Sequence, residues 1–143
     1  MLKIEPGNAI LGARVTGVNL HQPLSDAELG GVVRALGQYG VLCFPDQLID
    51  ATELRQFSSR FGALQIISKK VEPGMPDVSI LSNVIENGDY IGAPDAGQDW
   101  HTDMTYNQTP GFVNVLVAHK VPMRDGKPRG GTEFTNTHAA YDD

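Results

Sequence analysis

The same helix-start pattern occurs twice in the first 62 residues, with a β-branched run between the two copies. Ser25 with Glu28, and Asp50 with Glu53, form capping boxes, in which the first side chain and the glutamate each accept a main-chain N–H of the other residue. Apolar residues follow at helical spacing, and a glycine closes each segment. The pattern predicts two helices. The first ends at Gly40 and has an apolar face of Leu29, Val32, Val33 and Leu36. The second ends at Gly62 and has an apolar face of Leu54, Phe57 and Phe61.

The run Val-Leu-Cys-Phe at residues 41–44 predicts a buried strand between these helices. Cys43 is the only cysteine, so it can form no internal disulfide, and its apolar surroundings predict a buried structural thiol. A third helix is predicted from about His138, with Asn136 or Thr137 as its cap. Further strands are predicted at residues 10–20, 78–83 and 111–121, the last being the most strand-like run, which gives a mixed α+β, mainly β chain.

Charge and hydropathy exclude several partner classes. The formal net charge of −6 over 143 residues disfavours a nucleic-acid partner, because phosphate binding needs a basic face. No apolar run approaches the length of about 20 residues that spans a bilayer, so no membrane partner is predicted. The first residues contain no apolar signal-peptide core, and a cytoplasmic location is the default expectation. The sequence leaves the oligomeric state open, a homo-oligomer included.

Residues 100–106, Trp-His-Thr-Asp-Met-Thr-Tyr, contain the most chemically suggestive pair. On an extended strand, His101 and Asp103 would leave the same face, while Trp100 and Thr102 would point the other way. An imidazole and a carboxylate are two of the three protein ligands in the 2-His-1-carboxylate set that holds Fe(II). The spacing is weak evidence by itself, because His-x-Asp pairs arise by chance and often form structural hydrogen bonds.

Six segments surround and include this pair, in the order Val41-Leu42-Cys43-Phe44-Pro45-Asp46-Gln47, Phe57-x-x-Arg60-Phe61-Gly62, Ser82-Asn83, Trp100-His101-Thr102-Asp103, Thr109-Pro110 and Gly130-Gly131-Thr132. Together they resemble the TauD/TfdA family of Fe(II)- and 2-oxoglutarate-dependent dioxygenases over nearly the whole chain. The resemblance implies a double-stranded β-helix, or jelly roll, with flanking helices, incomplete in this chain. Residues 1–143 would then be the N-terminal part of a single dioxygenase domain.

The resemblance also implies roles for individual residues. His101 and Asp103 match the first two iron ligands of the family and are therefore the expected catalytic and metal-binding residues. Thr132 matches the threonine that contacts the carboxylate of 2-oxoglutarate. Trp100 matches an aromatic residue of the pocket wall, and Asn83 falls near the substrate pocket. The implied cofactors are Fe(II) and O2 with 2-oxoglutarate as co-substrate, and the implied reaction hydroxylates a small, anionic organic molecule, releasing succinate and CO2.

Two departures from the family pattern shape this expectation. Gly97 stands where the taurine branch often has a substrate-binding asparagine, and residues 63–67 lack the histidine that contacts a sulfonate, so taurine is not the predicted substrate. Members of the family are longer, and their second iron-binding histidine and their 2-oxoglutarate-binding arginine match nothing here. His119 and His138 are too close to Asp103 for that spacing. We expect an enzyme as the full-length parent, and the isolated chain's activity is left open.

Two other functions compete with the dioxygenase. The chain could be a non-catalytic, β-rich binding module or pseudoenzyme in which His101 and Asp103 form a structural hydrogen-bonded pair. A zinc hydrolase that uses the same pair is weaker, because zinc also needs a third protein ligand and the chain has no His-Glu-x-x-His motif or cysteine cluster.

Overall fold

The structure is a computed structural model that describes residues 1–67 and 70–142. These residues divide into a terminal unit, comprising residues 1–49 with those from Val117 onward, and a central unit of residues 50–116. The elements in chain order are β1 (Lys3–Pro6), β2 (Ala13–Thr16), α1 (Asp26–Tyr39), β3 (Leu42–Cys43), α2 (Ala51–Ser59), β4 (Val71–Glu72), β5 (Met75–Ser79), β6 (Ile85–Glu86), β7 (Asp89–Tyr90), β8 (Met123–Arg124), β9 (Lys127–Pro128) and α3 (Thr137–Asp142).

The terminal unit is built on a three-stranded sheet in the order β1-β2-β3. Strands β1 and β2 are antiparallel, and β2 and β3 are parallel with Ala13 opposite Leu42. Helix α1 connects β2 to β3 and contacts β3, and Val15 of β2 and Val32 of α1 are almost completely buried. Burial of each such side chain contributes about 1.5–3 kcal/mol, so this helix–sheet contact forms the main core of the unit.

Gln47 ties the chain that follows β3 back to the chain that follows β2. Its Oε1 accepts the main-chain N–H of Leu20 at 2.8 Å, and its Nε2 donates to the carbonyl of Val18 at 3.4 Å. Leu20 and the neighbouring Ile49 are buried. The glutamine that ends the motif of residues 41–47 therefore has a structural role in the terminal unit.

The predicted capping boxes are confirmed. The side chain of Ser25 accepts the N–H of Glu28, whose carboxylate in turn accepts the N–H of Ser25. Asp50 and Glu53 form the same reciprocal pair at the start of α2. Gly40 ends α1 with a positive φ of 67°, a conformation that suits a residue without a Cβ.

Two burial predictions in the terminal unit are wrong. Cys43 is exposed, and Leu42 is only half-buried, because β3 is a two-residue edge strand with a neighbour on one side only. Val33 is also exposed, and Ala35 takes a buried place on α1 instead. One step of 100° along a helix separates adjacent residues, so Val32 and Val33 cannot both face the same sheet fully.

The central unit consists of α2, two short hairpins and a long irregular segment. Strands β4 and β5 pair across a turn at residues 73–74, and β6 pairs with β7. Phe57 of α2 is buried and meets Phe61 edge to face, with ring centroids 5.2 Å apart. Arg55 of α2 forms an ion pair with Asp77 of β5.

Three strand predictions need correction. The strand predicted at residues 78–83 lies at Met75–Ser79, and neither 100–106 nor 111–121 forms a strand. A strand requires a neighbour that satisfies its main-chain hydrogen bonds, and no described strand is paired with either segment. The described residues show mixed α and β structure without a closed barrel, so the jelly roll stays a prediction. The single domain over residues 1–143 also stays a prediction, and Asp143 lies outside the described residues.

The third helix begins at Thr137, and Asn136 caps it by accepting the main-chain N–H groups of His138 and Ala139. In the described ranges, no helix has the length and the apolar character needed to cross a bilayer.

Candidate metal centre

His101 and Asp103 lie on a bend of the central unit instead of on the predicted strand. Met104, the next residue, has a φ of 58°, which is uncommon for a residue with a side chain. Its carbonyl accepts the N–H of Asn107 at 3.1 Å, which closes a turn directly after Asp103. The bend brings the two side chains together in a way that the strand geometry does not require.

The imidazole and the carboxylate face each other. Nε2 of His101 lies 3.3 Å from Oδ1 of Asp103, and the two side chains are 52% and 54% exposed. On the other side of the ring, Nδ1 of His101 lies 2.7 Å from the main-chain carbonyl oxygen of Asp99. A carbonyl oxygen can only accept a hydrogen bond, so Nδ1 carries a proton.

This arrangement determines what can lie between the two side chains. When Nδ1 holds the proton of a neutral ring, Nε2 presents its lone pair to Oδ1. Two acceptors 3.3 Å apart repel each other, and a positive charge between them removes the repulsion. That charge is either a second proton, which makes an imidazolium–carboxylate ion pair, or a metal ion that both atoms bind.

The distance fits a shared metal ion. Nitrogen and oxygen ligands bind a divalent first-row metal at about 2.0–2.2 Å, so two ligands at a right angle lie about 3 Å apart. The Nε2–Oδ1 distance of 3.3 Å agrees with this spacing without further movement of either side chain. A metal-binding histidine usually donates its other ring N–H to a carbonyl or carboxylate, as His101 does to Asp99.

Asn114 is a member of the site that the sequence analysis missed. Its Nδ2 donates a hydrogen bond to Oδ2 of Asp103, the carboxylate oxygen that does not face His101. The signal was present, since asparagine is depleted in strands and stands here between Val113 and Val115 in the most strand-like run of the chain. The valines on either side are half-buried, and Asn114 is exposed.

Gln65 holds the chain that follows the pair. Its Oε1 accepts from the amide of Asn107 at 3.4 Å, and its Nε2 donates to the carbonyl of Thr109 at 3.5 Å. Gln65 lies within residues 63–67, the stretch in which the sulfonate-binding histidine of the taurine branch is absent. In this chain, Gln65 of that stretch forms hydrogen bonds to the segment that directly follows the candidate site.

Trp100, Asn83 and Thr132, the other predicted site residues, are all exposed. Trp100 precedes His101 and is 67% exposed. Asn83 is exposed and follows the bridge between Leu81 and Ala93. Thr132 is exposed and belongs to the terminal unit. The roles of these three residues in binding substrate or 2-oxoglutarate stay predictions.

Gly97 has a backbone reason to be glycine. Its φ is 77°, and a Cβ added there would lie 3.6 Å from Cε1 of His101. A positive φ suits a residue without a Cβ.

Two ligands do not complete a site. Among residues 1–67 and 70–142, no group of three or more His, Cys, Asp or Glu side chains could hold a metal ion. The described residues therefore supply an imidazole, a carboxylate and the groups that orient them, and a stable iron centre needs at least one more ligand.

Comparison with known proteins decides the family. The family model described as "Taurine catabolism dioxygenase TauD, TfdA family" matches residues 3–143. The chain belongs to this family. Members of the TauD/TfdA family that depend on α-ketoglutarate, which is 2-oxoglutarate, use it with Fe(II) and O2.

Several relatives of this chain are named for the substrate on which they act. A protein of Delftia acidovorans named (S)-phenoxypropionate/alpha-ketoglutarate-dioxygenase is 33% identical over 152 residues, covering 99% of this chain and 48% of that protein. An alpha-ketoglutarate-dependent 2,4-dichlorophenoxyacetate dioxygenase of Burkholderia sp. (strain RASC) is 31% identical, covering 91% of this chain and 46% of the relative. The chain thus spans about half the length of these relatives.

A solved structure agrees with the family over part of the chain. It is a putative alpha-ketoglutarate-dependent taurine dioxygenase from Burkholderia xenovorans, with 28% identity and a TM-score of 0.51. The match covers 53% of this chain and 28% of the other.

Proposed function

We propose that this chain supplies two of the three iron ligands of an Fe(II)- and 2-oxoglutarate-dependent dioxygenase. The observation that carries the proposal is that Nε2 of His101 lies 3.3 Å from Oδ1 of Asp103. The other ring nitrogen, Nδ1, donates a hydrogen bond to the carbonyl of Asp99 and so orients the ring. An imidazole with its lone pair turned to a carboxylate is the donor set expected for Fe(II). Membership of the TauD/TfdA family supports the same metal.

Each residue has one part in the proposed reaction. His101 and Asp103 hold the iron, and Thr132 contacts the carboxylate of 2-oxoglutarate. Trp100 and Asn83 border the substrate. The bound iron supplies the oxidising chemistry, in which one oxygen atom of O2 enters the substrate as a hydroxyl group and the other enters succinate, with release of CO2.

We propose a small organic anion as the substrate, with an aryloxyalkanoate as the first compound to test. Two relatives at 31–33% identity are named for phenoxypropionate and 2,4-dichlorophenoxyacetate, which are carboxylates of this kind. The absence of the histidine and asparagine of the taurine branch supports a substrate other than taurine.

We further propose that the chain is the N-terminal part of a longer enzyme with a jelly-roll fold. The second iron-binding histidine and the arginine for 2-oxoglutarate would lie in the remainder. The coverage of 48% and 46% of two relatives supports this, as does the lack of a third metal ligand near the pair in the described part of the chain. The intact mass of the native polypeptide tests it, because a mass of 15.4 kDa would rule out a longer chain.

The deciding experiment is anaerobic titration of the native protein with Fe(II) and 2-oxoglutarate. We expect a visible charge-transfer absorption that His101→Ala and Asp103→Ala abolish. His138→Ala is the matched control, since His138 also lies beside a carboxylate, with Nδ1 at 3.2 Å from Oδ2 of Asp142. If the wild type shows no band, the proposal fails.

One observation favours the non-catalytic alternative, in which the pair is an imidazolium–carboxylate ion pair. The described residues bring only two candidate ligands together. In that case His101→Ala would change stability and leave the affinity for Co(II) unaltered. A site-specific loss of Co(II) binding in the variant would rule the alternative out.

A further inference from the structure

We infer that Asn114 is a positioning residue that keeps Asp103 a single-oxygen metal ligand. The inference rests on the proposed function, because it concerns how the carboxylate meets the ion. It adds to the family pattern a residue outside the motifs that identify the family.

The two oxygens of Asp103 have different partners. Oδ1 faces Nε2 of His101 at 3.3 Å, and Oδ2 accepts the amide N–H of Asn114. A carboxylate without such a partner can turn about its terminal bond and bind a metal through both oxygens. The bond to Asn114 fixes the rotation of the carboxylate, so that Oδ1 and not Oδ2 is the oxygen that faces Nε2 of His101 and the proposed ion.

The position of Asn114 makes this contact specific. Burial alternates along the segment, with Val113 and Val115 half-buried and Asn114 and Leu116 exposed. Alternation of this kind is the mark of an extended backbone whose apolar side chains anchor one face. Asn114 lies on the face opposite the half-buried valines, and its amide reaches Asp103, 11 residues away along the chain.

The two orienting contacts are complementary. The Asp99 carbonyl determines which nitrogen of His101 is free, and the Asn114 amide determines which oxygen of Asp103 is free. Partners of metal ligands typically change metal affinity by 10–100-fold when they are removed. We expect an effect in this range from Asn114, although its side chain is exposed and touches no metal itself.

The test measures Co(II) binding to the native protein by absorption spectroscopy, with no co-substrate. Asn114→Leu removes the amide at nearly constant size, and Asn114→Ala removes the side chain. We expect both to weaken Co(II) binding by about 10–100-fold. We also expect a weaker Co(II) absorption per ion, because two-oxygen binding raises the coordination number. Asn114→Gln keeps the donor and should restore part of the affinity and the spectrum.

Asn8→Ala is the matched control, because Asn8 is an exposed asparagine of the terminal unit and lies outside the unit that contains the pair. It should leave the Co(II) spectrum unchanged. Thermal unfolding of the metal-free variants separates loss of the site from loss of the fold. If Asn114→Leu does not fold, Asn114→Gln and Asn114→Ala still test the contact.

The outcomes separate this inference from the function on which it rests. If the wild type binds Co(II), His101→Ala abolishes binding and Asn114→Leu changes neither affinity nor spectrum, the inference is overturned and the metal site stands. If the wild type binds no Co(II) at the pair, both fail together. A loss of affinity in Asn114→Leu with an unchanged spectrum would overturn the single-oxygen role.

Discussion

Arg55 donates from Nε to Oδ2 of Asp77 at 2.6 Å, and the two partners differ sharply in their exposure to water. The arginine side chain is 52% exposed and that of the aspartate 3%. Oδ1 of Asp77 is buried without a hydrogen-bond partner in the part of the chain that the structure describes. The ion pair joins α2 to β5. Because the carboxylate is the buried partner, removing the arginine should lower the free energy of unfolding more than removing the carboxylate.

Arg55→Ala should therefore destabilise the protein more than Asp77→Ala. Loss of the guanidinium leaves a buried carboxylate uncompensated, at a cost of about 3 kcal/mol in the free energy of unfolding. Loss of the carboxylate leaves a half-exposed guanidinium that water can solvate, at about 1–2 kcal/mol. Chemical denaturation measures both, with the exposed Arg34→Ala as a control expected within about 0.5 kcal/mol of wild type. Equal losses in the two variants would contradict this account.

The capping box of α1 predicts a pH dependence of stability. The side-chain hydrogen bond from Ser25, with the main-chain bond from the same residue, lowers the pKa of Glu28 below its ordinary value of 4.5. A carboxyl whose pKa is lower in the folded state stabilises that state above the unfolded pKa, and this contribution is lost as the pH falls through the folded pKa.

We therefore expect the wild type to lose stability relative to Glu28→Gln as the pH drops below about 4.5. Thermal unfolding of the two proteins from pH 7 to pH 3 provides the comparison. Glu86→Gln, which changes an exposed glutamate of β6, serves as the control. A stability difference between wild type and Glu28→Gln that stays constant over this range would refute the assignment.

The turn after Asp103 should be sensitive to side-chain branching at Met104. Its φ of 58° lies in the left-handed region, which β-branched residues strongly disfavour. Met104→Ile should cost about 1–2 kcal/mol in stability and weaken Co(II) binding, because the turn places Asp103 beside His101. Met104→Leu has the same volume as isoleucine without the branch, and both variants lose the contact from the Tyr106 hydroxyl to the methionine sulfur. Similar behaviour of the two variants would show that the backbone conformation is unimportant.

Some of the candidate site could be predicted from local sequence. His101 and Asp103 are two residues apart, and the bend at Asp103 brings their side chains together although the strand predicted around the pair is wrong. Asn114 could not be assigned in this way, because its partner lies 11 residues away and the intervening turn decides the contact. The valines on either side of Asn114 predict a strand, and nothing in this pattern predicts the contact of the Asn114 amide with Asp103.

The sequence by itself determined where α1 and α2 begin and where α1 ends, whereas α2 ends at Ser59, before the predicted stop at Gly62. Capping boxes and the His-x-Asp pair act over three or four residues, so their outcome depends little on the rest of the chain. The tertiary structure alone decided which runs pair as strands, that Cys43 is exposed, and which oxygen of Asp103 faces His101. These features depend on neighbours distant in sequence, because hydrogen-bond pairing and burial belong to two surfaces that the fold brings together.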